Sequence, residues 1–155
     1  MLDSLLIPFR SQHQPPALPP GYRLEADPSP GAEEIGALLV ACGDPTRPAE
    51  RTAQALARSA WQLSVRDGRN QLVGFVRATS DQALNANLWD LVACPEDPHQ
   101  QQVLLVLVAT ALARLRRDLP GCSISVAAPP AALEALRRHG FVVDPGGIRA
   151  MGLRL

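Results

Sequence analysis

From Gly21 onward the chain switches between two hydrophobic periods, and each switch marks an element. Tyr22 to Ala26 reads as a short strand. Pro30 and the Glu33-Glu34 pair suit the first turn of a helix, where the missing proline amide costs nothing and the dipole favours acid. The apolar stripe of that helix is Ile35, Leu38, Leu39 and Cys42, and Gly43-Asp44-Pro45 stops it. A second helix, Pro48 to Ala60, carries Leu56 among alanines. The spacing then becomes two-fold. Trp61 to Arg66 and Gln71 to Thr79 form a predicted hairpin around Asp67-Gly68-Arg69-Asn70, and Ala86 to Ala93 is the third strand of that meander.

After Pro95-Glu96-Asp97-Pro98 the pattern turns helical from about His99 to Arg117, with a middle that is apolar on every side, so this helix is expected to lie buried against the sheet. Cys122 to Ala127 is a strand, and Pro130 to His139 is a helix closed by Gly140. Phe141 to Leu155 is an extended pair broken at Asp144-Pro145-Gly146-Gly147. The order β-α-α-β-β-β-α-β-α-β predicts an α+β fold with a mixed sheet of about six or seven strands. Residues 1–20 hold five prolines with Ser11, Gln12 and Gln14, a flexible tail ahead of one domain over 21–155.

Charge changes the picture by exclusion. Fifteen basic residues, all arginine, balance fifteen acidic ones, so no overall field draws the chain to nucleic acid or to an anionic membrane. With no lysine, Schiff-base chemistry is excluded. Cys42, Cys94 and Cys122 lack CxxC spacing and read as reduced thiols, not as a disulfide framework or a zinc site. The longest apolar run, Val103 to Leu115, is too short to span a bilayer, and Leu5-Leu6-Ile7 lacks the basic flank of a signal peptide. A cytoplasmic protein is expected.

The element order, with Arg137-Arg138-His139-Gly140-Phe141 near the end, resembles the GNAT family of acetyl-CoA-dependent N-acyltransferases over most of 21–155. It is similar above all to the cyanobacterial and plastid branch, through Leu88-Trp89-Asp90-Leu91-Val92 and the closing Asp144-Pro145-Gly146-Gly147-Ile148-Arg149-Ala150-Met151. The resemblance implies splayed central strands and a coenzyme A site. Leu91, Val92 and Ala93 would offer backbone groups to the pantetheine arm. The pyrophosphate would meet a Q/R-x-x-G-x-G/A loop at a helix N-terminus, here the stretch containing His99, Gln100, Gln101, Gln102, Val103 and Leu104. That stretch has no glycine: His99, Gln101 and Val103 stand where glycines would let backbone approach phosphate. Glu96 and Asp97 add negative charge, and Pro98 removes a donor. The tyrosine that protonates the departing thiolate in the family corresponds to Leu136, which has no proton to give, and the polar residue at the start of that helix corresponds to Pro129.

Asp90 is the candidate catalytic base, able to take a proton from an amine through water, or else a polar position on an alternating strand. His99 suits a phosphate contact or a base, and equally a solvated first turn. Gln100 to Gln102 could bond a ligand through neutral amides or simply form a polar turn. Cys94 stands nearest the expected cleft, with His99 as its sole basic neighbour in sequence, and His139 and the Arg114, Arg116, Arg117 cluster suit helix C-termini. Two functions follow. One is a GNAT-like domain that has lost or weakened acetyl-CoA-dependent transfer and works as a binding or regulatory module, with a protein partner or as a homodimer. The other is an active acetyl-CoA-dependent transferase acting on a small or protein amine. Loss of the loop glycines and of the tyrosine favours the first.

Overall fold

The computed structural model describes residues 14–26, 30–148 and 151–153. Five strands form one mixed sheet in the order β1 (Arg23–Glu25), β2 (Trp61–Arg66), β3 (Leu72–Ser80), β4 (Asn85–Ala93) and β5 (Ser123–Val126). The first four are antiparallel, and β5 runs parallel to β4. The crossover between those two is α3 (Gln100–Asp118), since parallel neighbours cannot be joined by a tight turn. Its all-round apolar middle is buried as expected: Val103, Leu104, Leu107, Val108 and Ala111 are each 0% exposed. Burying each of the valine and leucine side chains stabilises by roughly 1.5–3 kcal/mol, so α3 is the chief packing partner of the sheet.

α4 (Leu133–Arg138) joins α3 in the larger core, together with Leu63, Val65, Leu88 and Leu91. The other face is covered by α1 (Ala32–Ala41), which buries Ile35, Leu38 and Leu39 on Phe75 and Val92. Arg66 ties α1 to the sheet, donating from Nη2 to Glu34 at 2.9 Å and from Nε to Glu25 at 3.1 Å. The bond from Arg66 holds the Glu34 carboxyl below the ordinary glutamate range, and a bond from Arg23 Nε at 2.8 Å, with that from Arg66, does the same for Glu25. α2 (Ala49–Ala57) is shorter than expected, because the Ala60 amide already donates to Ala78 O at 2.8 Å and starts the β2–β3 ladder.

Two expectations are corrected. The sheet has five strands among the described residues, fewer than six or seven, because no strand forms in 141–148 or 151–153. Asp144, Gly146 and Gly147 take φ of 48°, 63° and 79°, and a short turn closes with Ile148 N donating to Pro145 O. Three left-handed residues within four positions curl the chain away from an extended path, leaving Val142 and Val143 about two-thirds exposed at 67% and 66%. Arg149, Ala150, Arg154 and Leu155 lie outside the described residues, as do 1–13 of the expected tail. Residues 14–20 have no regular structure, yet Pro19 is buried and Leu18 packs on the main core. No helix among the described residues is long and apolar enough to cross a membrane.

Candidate functional site at the strand fork

The β4–β5 ladder ends at Leu88 and Val126, although β4 continues to Ala93. Beyond Val126 the chain reaches Pro129 and Pro130, which have no amide to donate, and the strands part. The expected splay of the central strands is therefore present. At the fork lies a cavity of about 400 Å³ bounded by Cys42, Val92, Ala93, Gln100, Leu104 and Ala131.

The last carbonyl of β4, which could face a ligand there, is already occupied. Ala93 O accepts from Gln100 Nε2 at 3.0 Å and from Cys42 Sγ at 3.4 Å. The neighbouring glutamines on the first turn of α3 reach two further segments. Gln101 Nε2 donates to Ala131 O at 3.1 Å, between β5 and α4, and Gln102 Nε2 donates to Ala17 O at 2.6 Å in the N-terminal segment. Three consecutive amides thus staple the start of α3 to β4, to the far side of the fork and to the N-terminal segment. Neither sequence reading of the glutamines, ligand donors or a plain polar turn, contains this arrangement.

Where α3 begins, the chain supplies its own anion. Asp97 Oδ1 accepts from the His99 backbone N–H at 2.7 Å, and the Asp97 carboxylate accepts from Tyr22 Oη at 2.9 and 3.2 Å. Burial and that bond push the Tyr22 phenol above its ordinary value. His99 is the exposed residue preceding α3, with its ring edge-on to Tyr22 at 5.5 Å between centroids. Val103 and Leu104 send their side chains into the core. Of the expected cofactor residues, then, Val92, Ala93, Gln100 and Leu104 border the fork cavity, Leu91 is buried on the α3 face, and His99, Gln101, Gln102 and Val103 are committed to contacts within the chain.

The fit of coenzyme A to this site is poor. A unit of phosphate charge about 4 Å from the Asp97 carboxylate is opposed by roughly 1 kcal/mol in water and about 4 kcal/mol at an effective dielectric near 20. No glycine relieves the approach, and Ala93 O would have to exchange its present donors for those of the pantetheine arm.

Asp90 is placed differently from a free base. It sits in a β-bulge: Phe75 pairs with Val92 and Arg77 with Trp89, so Asp90 and Leu91 together oppose Val76. Asp90 takes φ 53°, and the extra residue resets the alternation so that Leu88 and Leu91 share the α3 face. Its carboxylate, 11% exposed, accepts from Arg77 Nε at 2.6 Å and from Arg47 Nη1 at 3.1 Å. Sequence reasoning missed both arginines. Arg47 is 43 residues away and no local pattern connects them, whereas Arg77 could have been paired with Asp90 through the hairpin register.

Burial raises the Cys42 thiol to about 11, which keeps it protonated at neutral pH. Cys94 is half-buried and packs against both cores, and all three cysteines are free. Leu136 is 3% exposed in the main core, and His139 Nδ1 is hydrogen-bonded to Ala135 O at 2.8 Å, which closes α4. Arg114 pairs with Asp118 near the end of α3, as suits a helix C-terminus, and also stacks over Trp61 at 5.1 Å. Among the described residues no group of three His, Cys, Asp or Glu side chains could hold a metal ion.

No family model matches the chain. Among curated proteins it is 33% identical over 121 residues to an uncharacterised N-acetyltransferase, ycf52, of Porphyra purpurea, covering 76% of this chain and 68% of that one. Many solved structures share the fold, among them two of different kinds. A Staphylococcus aureus protein of unknown function gives a TM-score of 0.76 at 16% identity over 86% of this chain and 99% of that one. The GNAT-family N-acetyltransferase YhbS of Escherichia coli, solved with CoA, gives 0.59 at 18% identity over 79% and 69%. The α+β sheet with its fork, the bulge before the fork and the similarity to ycf52 agree, and the chain belongs to the GNAT family of N-acetyltransferases, on its cyanobacterial and plastid branch.

Proposed function

We propose that this chain is a GNAT domain with lost or weakened acetyl-CoA-dependent transfer, which works in the cytoplasm as a binding or regulatory module. The observation that carries the reading is Asp97, a carboxylate of the chain itself bonded to the backbone N–H at the start of α3, where the family holds pyrophosphate. The glutamine staples and the buried Leu136 support it. Pairing with a second copy or with a protein partner belongs to the same proposal, and the exposed apolar residues Val142, Val143 and Ile148 offer a surface for it. Three free cysteines fit a reducing compartment.

The fork cavity of about 400 Å³ favours the alternative, an active acetyl-CoA-dependent N-acetyltransferase acting on a small or protein amine. Calorimetric titration with acetyl-CoA separates the two. The expected result is no saturable binding in the micromolar range, and a micromolar or tighter dissociation constant would overturn the proposal.

A further inference from the structure

A second cavity, of about 310 Å³, opens on the α1–α2 side of the sheet, under the first turns of α2. Its size is near the lower end for small-molecule sites. It shares no lining residue with the fork. One wall is apolar, from Ile35 and Leu56, and the other is charged, from Arg47, Arg51, Arg77 and Asp90.

The charges do not close on themselves. Asp90 is spanned by Arg77 at 2.6 Å and Arg47 at 3.1 Å, and Asp44 takes Arg47 Nη2 at 2.6 Å. Arg51 has no ion-pair or hydrogen-bond partner among the described residues. Three guanidinium groups meet two carboxylates, Asp90 on the lining and Asp44 behind Arg47, which leaves a surplus of one positive charge, that of Arg51. A guanidinium presents five N–H donors in a planar fork that matches a carboxylate bidentately, and the unpaired one here stands beside an apolar wall.

We infer that this cavity binds a small organic carboxylate with an apolar body, its head on Arg51 and Arg47 and its body against Ile35 and Leu56. Asp90 in the lining selects a monoanion, because a second negative charge on the ligand would face that carboxylate. A phosphate dianion is therefore disfavoured. The inference rests on the binding-module reading and gives that module a ligand class.

Phenylacetate is the probe, with neutral phenylacetamide and inorganic phosphate as controls, followed by calorimetry and thermal shift at constant ionic strength. Wild-type protein is expected to bind phenylacetate saturably, with both controls at least tenfold weaker. Arg51→Ala, an exposed change on α2, is expected to weaken phenylacetate at least tenfold without moving the melting temperature of the free protein, and Arg51→Lys is expected to fall between. No saturable binding of phenylacetate, equal binding of acid and amide, tighter binding of phosphate, or an Arg51→Ala variant that binds like wild type would each overturn the inference. Tight acetyl-CoA binding would instead overturn the binding-module reading and leave the Arg51 dependence standing, so the two failures are distinguishable.

Discussion

Gly74 on β3 is the position where one added methyl says most about how the start of α3 is held. A Cβ built there would lie 2.5 Å from Val103 Cγ1, 3.1 Å from Leu107 Cδ1 and 3.4 Å from Val65 Cβ, where ordinary contact begins near 3.4 Å. Val103 is 0% exposed and stands where the family loop has a glycine, so it has no free direction in which to retreat. Overpacking of this kind costs typically 1–3 kcal/mol. Gly74→Ala is expected in that range. Val103→Ala removes two methyl groups, about 1.6 kcal/mol of transfer energy plus a cavity contribution, so roughly 2 kcal/mol. The double variant should be far from additive, since the methyl added at position 74 enters the space that Val103 vacates. We expect the pair to cost about 2 kcal/mol, with a coupling of roughly 1–3 kcal/mol between the positions. Urea denaturation measures all four proteins. At a slope of about 2 kcal/mol/M, each kilocalorie moves the midpoint by roughly 0.5 M, and equal slopes would show that the denatured state is unchanged. Additive losses, or a Gly74→Ala variant as stable as wild type, would refute the claim that β3 and the first turn of α3 are fitted to one another.

Tyr22 is the only tyrosine in the chain, so absorbance at 295 nm follows its ionisation without interference. Asp97→Asn should lower the titration midpoint toward 10.0, because the wild-type phenol is held above that value by burial and by its bond to Asp97. A folded pKa above the unfolded one gives stability that is present below pH 10 and lost as pH rises through the folded value. Identical midpoints in the two proteins would show that the bond does not form in solution. Asp90→Asn should destabilise by about 2 kcal/mol, between the small value of exposed ion pairs and the 3–5 kcal/mol of a broken buried one. The pair it breaks is 11% exposed on Asp90 and 14% on Arg77. Asparagine tolerates the positive φ of the bulge, so the loss reports the charge; an unchanged urea midpoint would count against the structural role.

The elements were legible because each carries a local signature. Asp67-Gly68-Arg69-Asn70 sets the hairpin, and the all-round apolar middle of α3 requires two buried sides. What escaped was non-local. Ala86 to Ala93 reads as one strand, yet the three-residue spacing of Leu88 and Leu91 on a common face requires a bulge, and only the partner register locates it at Asp90. The end of the chain misled for a different reason. Phe141-Val142-Val143 has strand composition, but three left-handed residues, Asp144, Gly146 and Gly147, decide the path. Propensity for β structure is mostly a statement about fitting a half-buried surface, and Val142 and Val143 find none among the described residues.

The missing glycines were visible in the sequence, whereas what replaced them was not, and the replacements bear on whether the loop could be restored. Glycine at 103 would put two residues without a Cβ against each other, Gly74 and the new one, and leave a hole in the main core. Cavities of that kind cost energy in proportion to their volume. Glycine at 101 would release Ala131 O, the bond that draws the far side of the fork toward α3. Glycine at 99 would keep the backbone N–H that Asp97 already holds, and the negative charge would remain. The first two changes therefore cost packing or a bond, and the third leaves the opposing charge where phosphate would sit. The sheet, the first turn of α3 and the Asp97 loop have to change together, so a short loop difference in the sequence corresponds to a rebuilt contact between β3 and α3.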